Sequence, residues 1–197
     1  MLTLLKKDLD ILTKKYKMYV IMLVFFLCAG SISTTDEFFS TFPMVICSWF
    51  TANLIAYDER EGMPEASRKL YVQSKYLFQF IAVTLAMIIC VAGLCSRYSV
   101  GSPEFCNVLL TMLAASLLVP SVTLAIIFKN SAAKSTLKYL GVLVVGVALC
   151  YYFSAAFEHR YIAQIGLVPC IIAAVAFLLI YFLSYRYSVK AYEKRED

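Results

Sequence analysis

Six stretches of this chain run without a single Asp, Glu, Lys or Arg: Met18–Thr35, Phe38–Ala56, Tyr76–Cys95, Phe105–Phe128, Leu140–Phe157 and Tyr161–Tyr185. A bilayer core of about 30 Å is crossed by about 20 apolar helical residues, and most of these runs approach or exceed that length. Backbone amides inside lipid must find their partners within the segment, so each run is expected to be a helix. The strict apolar and polar alternation of barrel strands is absent. The balance of the chain agrees. It is 61% hydrophobic and 16% charged, with a mean hydropathy of +0.76, which leaves too few polar residues to clothe a soluble domain. The expected fold is therefore an all-α membrane protein, one domain over 1–197 with spans at about 18–35, 38–56, 76–95, 105–128, 140–157 and 161–185.

The basic residues orient it. Sixteen of the 18 Lys and Arg fall in the segment before the first run, the connections after the second and fourth, and the tail; Arg97 and Arg160 alone fall on the other side. Positive charge is retained on the cytoplasmic side, so both termini are expected there, as six spans require. The net charge of +5 is thus a feature of topology and gives no reason to expect nucleic acid. Tyrosines near run ends, among them Tyr16, Tyr57, Tyr76, Tyr98, Tyr139, Tyr161 and Tyr185, suit interfacial aromatic belts. The first apolar run exceeds a usual signal-peptide core, and its basic flank belongs to the wider charge pattern.

The segment 1–17 repeats Leu2, Leu5, Leu9, Leu12 and Tyr16 at spacings of three and four, with Lys6, Lys7, Asp10, Lys14 and Lys17 on other faces. This is the pattern of an amphipathic helix lying in the cytoplasmic interface. A simple basic anchor that fixes topology is the other reading.

Catalytic patterns are missing. The seven cysteines lie in or at the ends of the runs without CxxC spacing and read as small packing residues. The single histidine, His159, sits in an outer turn between Glu158 and Arg160 and reads as solvated. No GxSxG, HExxH or GxxxxGK[ST] pattern occurs, so no enzyme activity, resident metal or ATP hydrolysis is expected of this chain. Within the runs the polar residues are mild. Thr51 and Asn53, with Trp49, in the second run, and Ser116 and Thr123 in the fourth, are the candidates to line a pathway. Pro43, Pro120 and Pro169 lie inside runs and are expected to shape them.

The most charged stretch is Tyr57–Lys75, between the second and third runs. Gly62 and Pro64 should end the preceding helix, and Pro64 with Glu65 suits the first turn of another. Acid precedes base: Asp58, Glu59 and Glu61, then Arg68, Lys69 and Lys75. A solvated loop with cancelling charge is the simple reading. A short helix offering charge, with Leu70 and Tyr71 as apolar anchors, to a soluble partner is the sharper one.

Tyr-Asp-Glu-Arg at 57–60, Ser-Arg-Lys at 67–69, Ser-Lys-Tyr-Leu at 74–77 and Lys-Lys-Asp-Leu at 6–9 resemble the short six-helix permeases of the type-2 ABC exporter family. The chain differs from that pattern in a shortened inner loop and in lacking Leu-Pro-Val before Ser-Arg. The resemblance implies a dimeric permease, taken as a homodimer, in a bacterial cytoplasmic membrane. It would bind two copies of a separate ABC ATPase, which would hold ATP and Mg; this chain would hold no cofactor. Asp58, Glu59, Arg60, Glu61, Arg68, Lys69, Leu70 and Tyr71 would form the coupling segment. Layout is similar to exporters of phenol-soluble modulins and antimicrobial peptides, which implies an amphipathic peptide substrate. A permease for a drug, a lipid or another hydrophobic substrate, and an accessory membrane protein that transports nothing, remain the alternatives.

Overall fold

The computed structural model describes residues 1–32, 38–62, 67–131, 138, 140–148, 152 and 166–195, and among these only helices and their connections occur. In chain order the helices are α1 (Leu2–Lys15), α2 (Lys17–Ile32), α3 (Phe38–Glu61), α4 (Arg68–Cys95), α5 (Pro103–Asn130), α6 (140–148) and α7 (Leu167–Glu193). Three of them, α4, α5 and α7, are long and apolar enough to cross a membrane, and a shorter apolar stretch covers Val20–Ala29 within α2. The expected runs at 140–157 and 161–185 are seen only in part. Cys150, Ser154, His159 and Pro64 lie outside the described residues.

The helix ends follow local chemistry. The Ser67 hydroxyl accepts the Leu70 amide at 3.3 Å and starts α4. Ser102 does the same for Phe105 at 3.2 Å, ahead of Pro103 in the first turn and Glu104 at the positive end of the α5 dipole. Gly62, at φ +105°, terminates α3 in the left-handed region that glycine enters without strain. Both α3 and α4 therefore continue past their apolar runs, and Tyr57–Glu61 and Arg68–Lys75 are helix where a 57–75 loop was expected. The helical backbone does not stop where the lipid does. Pro169 also differs from expectation: α7 starts at Leu167, so the proline occupies a first turn, where its missing amide costs nothing. Pro43 and Pro120 are interior to α3 and α5.

At the centre lies α5. Its most apolar stretch is 61% buried, against 28% for α4 and 11% for α7. It packs on α7 and α3, which in turn contact α4 and α2. Gly146 lets α6 approach α5 closely, since a Cβ there would stand 3.0 Å from a Val119 methyl. The outer faces of α4 and α7 present Leu85, Ile88, Leu179 and Leu183 to the surroundings. Such faces are at ease only in hydrocarbon.

Polar pairs tie the helices across their apolar contacts. Thr51 donates to Gln79 Oε1 at 2.5 Å, and Gln79 Nε2 donates to Ser48 at 3.3 Å, joining α3 to α4. The Tyr76 hydroxyl sits 2.8 Å from both Ser184 and Ser188, and Tyr181 donates to the Tyr76 carbonyl at 2.8 Å, joining α4 to α7. Hydrogen bonds of this kind between spanning helices contribute on the order of 1 kcal/mol each.

Candidate functional site

The charged residues of the sequence meet at one end of the bundle. There α1 packs on α2, α3 and α4, while the tail beyond α7 reaches Glu59 and Arg68. Lys75, 1% exposed on the second turn of α4, lies between Asp8 of α1 and Asp58 of α3, each also 1% exposed. Its ammonium pairs with Asp8 Oδ1 and, at 2.8 Å, with Asp58 Oδ2. Lys7 reaches the other Asp58 oxygen at 2.9 Å, and the Tyr71 hydroxyl donates to Oδ2 at 3.1 Å. The two acids and two bases cancel.

The two carboxylates are not equivalent. Burial pushes Asp58 up, but Lys75 and Lys7 outweigh it and hold the group below its ordinary value. Burial also pushes Asp8 up, and Lys75 only partly offsets this, so Asp8 stays above the ordinary carboxyl range. Its Oδ2 is the one buried side-chain oxygen or nitrogen among the described residues with no hydrogen-bond partner. Burial thus outweighs pairing at Asp8, and pairing outweighs burial at Asp58.

Around this centre lies a second layer. Tyr71, Phe128 and Tyr192 pack with centroids 5.5–6.2 Å apart, Phe128 edge-to-face with both tyrosines, and join α4, α5 and α7. Arg195 pairs with Glu59 at 3.0 Å. Arg68 donates to the Arg195 carbonyl and to those of Tyr192 and Glu193 at 3.4 and 3.3 Å, where the negative end of the α7 dipole favours a cation. The tail thereby straps the start of α4.

The eight residues expected to face a partner divide. Arg60, Glu61 and Lys69 are exposed, and Glu59, Arg68 and Leu70 are half-buried. Asp58 and Tyr71 differ from the expectation in position. Both point into the bundle, Tyr71 because its ring completes the aromatic cluster and Asp58 because it answers two lysines.

The pathway candidates also separate. Thr51 closes on Gln79, Ser116 and Thr123 donate to the Leu113 and Val119 carbonyls of their own helix at 2.9 and 2.8 Å, and Asn53 donates to the Trp49 carbonyl at 2.9 Å. Trp49 borders an apolar cleft of about 580 Å³ between α3 and α6, walled by Phe42, Leu140, Leu143, Val144 and Val147.

Sequence reasoning passed over Asp8, Lys75 and Gln79 as site residues. A signal existed for each. Asp8 stands three and four residues from Leu4, Leu5, Ile11 and Leu12, so a carboxylate interrupts the apolar stripe of α1. That stripe faces protein at Leu4, Asp8 and Ile11, while Leu2 and Leu9 are exposed. Tyr71, Lys75 and Gln79 recur at intervals of four and share one face of α4. Among the described residues no cluster of His, Cys, Asp and Glu could hold a metal.

A helical bundle with long apolar outer faces and a braced, charged rim at one end is the build of an integral membrane protein. The chain belongs to the ABC-2 family transporter proteins, whose profile it matches over residues 3–193. Comparison with curated proteins and with solved structures returned no match.

Proposed function

We propose that this chain is the permease subunit of an ATP-driven exporter that moves amphipathic peptides outward across a bacterial cytoplasmic membrane. The membrership in the ABC-2 family carries the reading, and such a permease works with an ABC ATPase. Six spans place both termini in the cytoplasm, and two permease copies, taken as identical, bind two ATPase copies that hold ATP and Mg. This chain performs no hydrolysis itself. The partner docks on the exposed rim of Arg60, Glu61 and Lys69, with Leu70 at its edge.

Its work must reach the membrane helices without being absorbed at the joint. The buried Asp8, Lys75 and Asp58 cluster supports this role, because it fixes α1, α3 and α4 to one another directly behind the rim. Force applied to the rim then moves three helices as one body. The apolar cleft beside Trp49 supports a substrate with an apolar face. It suits a drug or lipid equally well; the peptide rests on the resemblance of layout to peptide exporters. The test is affinity purification from native membranes followed by ATPase assay in proteoliposomes. An ABC ATPase should co-purify, the isolated chain should hydrolyse nothing, and amphipathic helical peptides should stimulate turnover of the complex. Purification without any ATPase would sink the permease reading, and stimulation by drugs or lipids but not peptides would replace the substrate.

A further inference from the structure

Beside the buried cluster lies a cleft of about 430 Å³, bordered on α1 by Thr3, Lys6, Lys7, Asp10, Ile11, Lys14 and Lys15 and closed by Tyr57 of α3. Four of these groups are cationic, but two are already engaged. Lys7 pairs with Asp58 at 2.9 Å, and Lys15 donates to the Tyr57 hydroxyl at 2.8 Å and lies 3.6 Å from Glu61. These pairs pin the walls. Lys6 and Lys14 are exposed and have no ion pair among the described residues. With Asp10 between them they form one row along the helix, at intervals of four.

What borders that row identifies its ligand. Lys6 follows Leu2 by four residues and precedes Leu9 by three, so both leucines are its surface neighbours. They are 82% and 55% exposed. A basic row beside bare leucines matches an amphiphile with an acidic head. A soluble anion or an acidic protein surface would satisfy the lysines and leave the leucines in water. A lipid satisfies both, and lysines on an interfacial amphipathic helix are the usual reader of anionic lipid.

We infer that the cleft between α1 and Tyr57 binds the headgroup of an acidic phospholipid, with Lys6 and Lys14 on its phosphate and Leu2 and Leu9 against its acyl region. Asp10 opposes this binding and limits its strength. The site is independent of the transport reading.

Native mass spectrometry of the full chain, released from phosphatidylcholine nanodiscs doped with phosphatidylglycerol, tests it. Wild type should retain phosphatidylglycerol in preference to phosphatidylcholine. Lys6→Gln with Lys14→Gln should lower that retention by roughly tenfold or more, on the usual contribution of a lysine near an anionic surface. Asp10→Asn should raise it, a gain that misfolding cannot mimic. Equal retention of the two lipids, or an unchanged preference in the double variant, would overturn the site. Glycerol phosphate bound as well as the lipid would make it an anion site without the leucines. Loss of a co-purified ATPase from the double variant in neutral lipid, with phosphatidylglycerol retention unchanged, would make the row a protein docking surface instead.

Discussion

Lys75 and Gln79 stand one turn apart on the same face of α4, and both bury a polar head against α3. Their solutions differ. Lys75 lies between two carboxylates, one of which keeps an unpartnered oxygen. Gln79 lies between two hydroxyls, each of which also has a carbonyl of its own helix to fall back on, Met44 for Ser48 at 3.4 Å and Cys47 for Thr51 at 3.3 Å. The first arrangement is brittle, because losing Lys75 strands a buried carboxylate. The second is forgiving. A joint that transmits movement gains from the first, since no partly broken state is comfortable. At membrane depth the second only has to hold helices together.

Breaking each group should expose that contrast. Lys75→Met leaves Asp8 and Asp58 facing each other in a dry site, and removing one partner of a buried pair costs about 3–5 kcal/mol. Gln79→Leu should cost on the order of 1 kcal/mol, because both hydroxyls keep their carbonyls. Denaturant titration of the purified protein in mixed micelles measures both. A Lys75→Met, Asp8→Asn, Asp58→Asn triple variant should recover much of the first loss, since the one charge left over, on Lys7, is half-exposed and can be solvated. Equal costs for the two single changes would contradict the contrast.

The two carboxylates offer a finer cut. Asp58 has its folded value lowered, so the stability it contributes is present above its ordinary value and lost as pH falls through the folded one. Asp8 has its folded value raised, so protonating it favours the folded state as pH falls through that value. Acidification from neutral should therefore first leave stability level or raise it, and only then erode it. Asp58→Asn should lower the unfolding midpoint at neutral pH, whereas Asp8→Asn should change it little and abolish the rise on acidification. A midpoint that falls steadily from neutral pH in the wild type would show the assignment of cost and gain to be reversed. Tyr76→Phe, which removes one hydroxyl from two serines, should cost no more than Gln79→Leu, about 1 kcal/mol.

Much of this architecture was legible in the residues. Charge-free runs located α2 to α5 and the body of α7, because excluding charge from lipid is the strongest constraint the chain obeys. Gly62 marked the end of α3. The solvated-loop reading of 57–75 failed because it equated charge with loop, whereas these helices continue beyond their apolar runs, as the glycine at 62 implied. The site was legible in its location and less so in its facing. Asp58, Glu59, Glu61, Arg68 and Lys69 are all charged and close together in the chain, and it is α1, with Lys7 on Asp58 and Asp8 on Lys75, that sets Asp58 and Lys75 apart as the buried ones. Long-range pairing of that kind leaves a trace in periodicity, as Asp8 does in its leucine stripe, but does not name its partner.

The central claim is that the buried cluster braces a rim on which the ATPase docks. Its most direct test is ATPase capture by a charge-reversed rim variant, Arg60→Glu, Glu61→Lys and Lys69→Glu, beside wild type. These side chains are exposed, so the unfolding midpoint should stay at the wild-type value while capture falls severalfold and peptide-stimulated hydrolysis is lost. Wild-type capture and hydrolysis by a folded variant would show that the ATPase engages another part of the chain, and the account of the rim would be wrong.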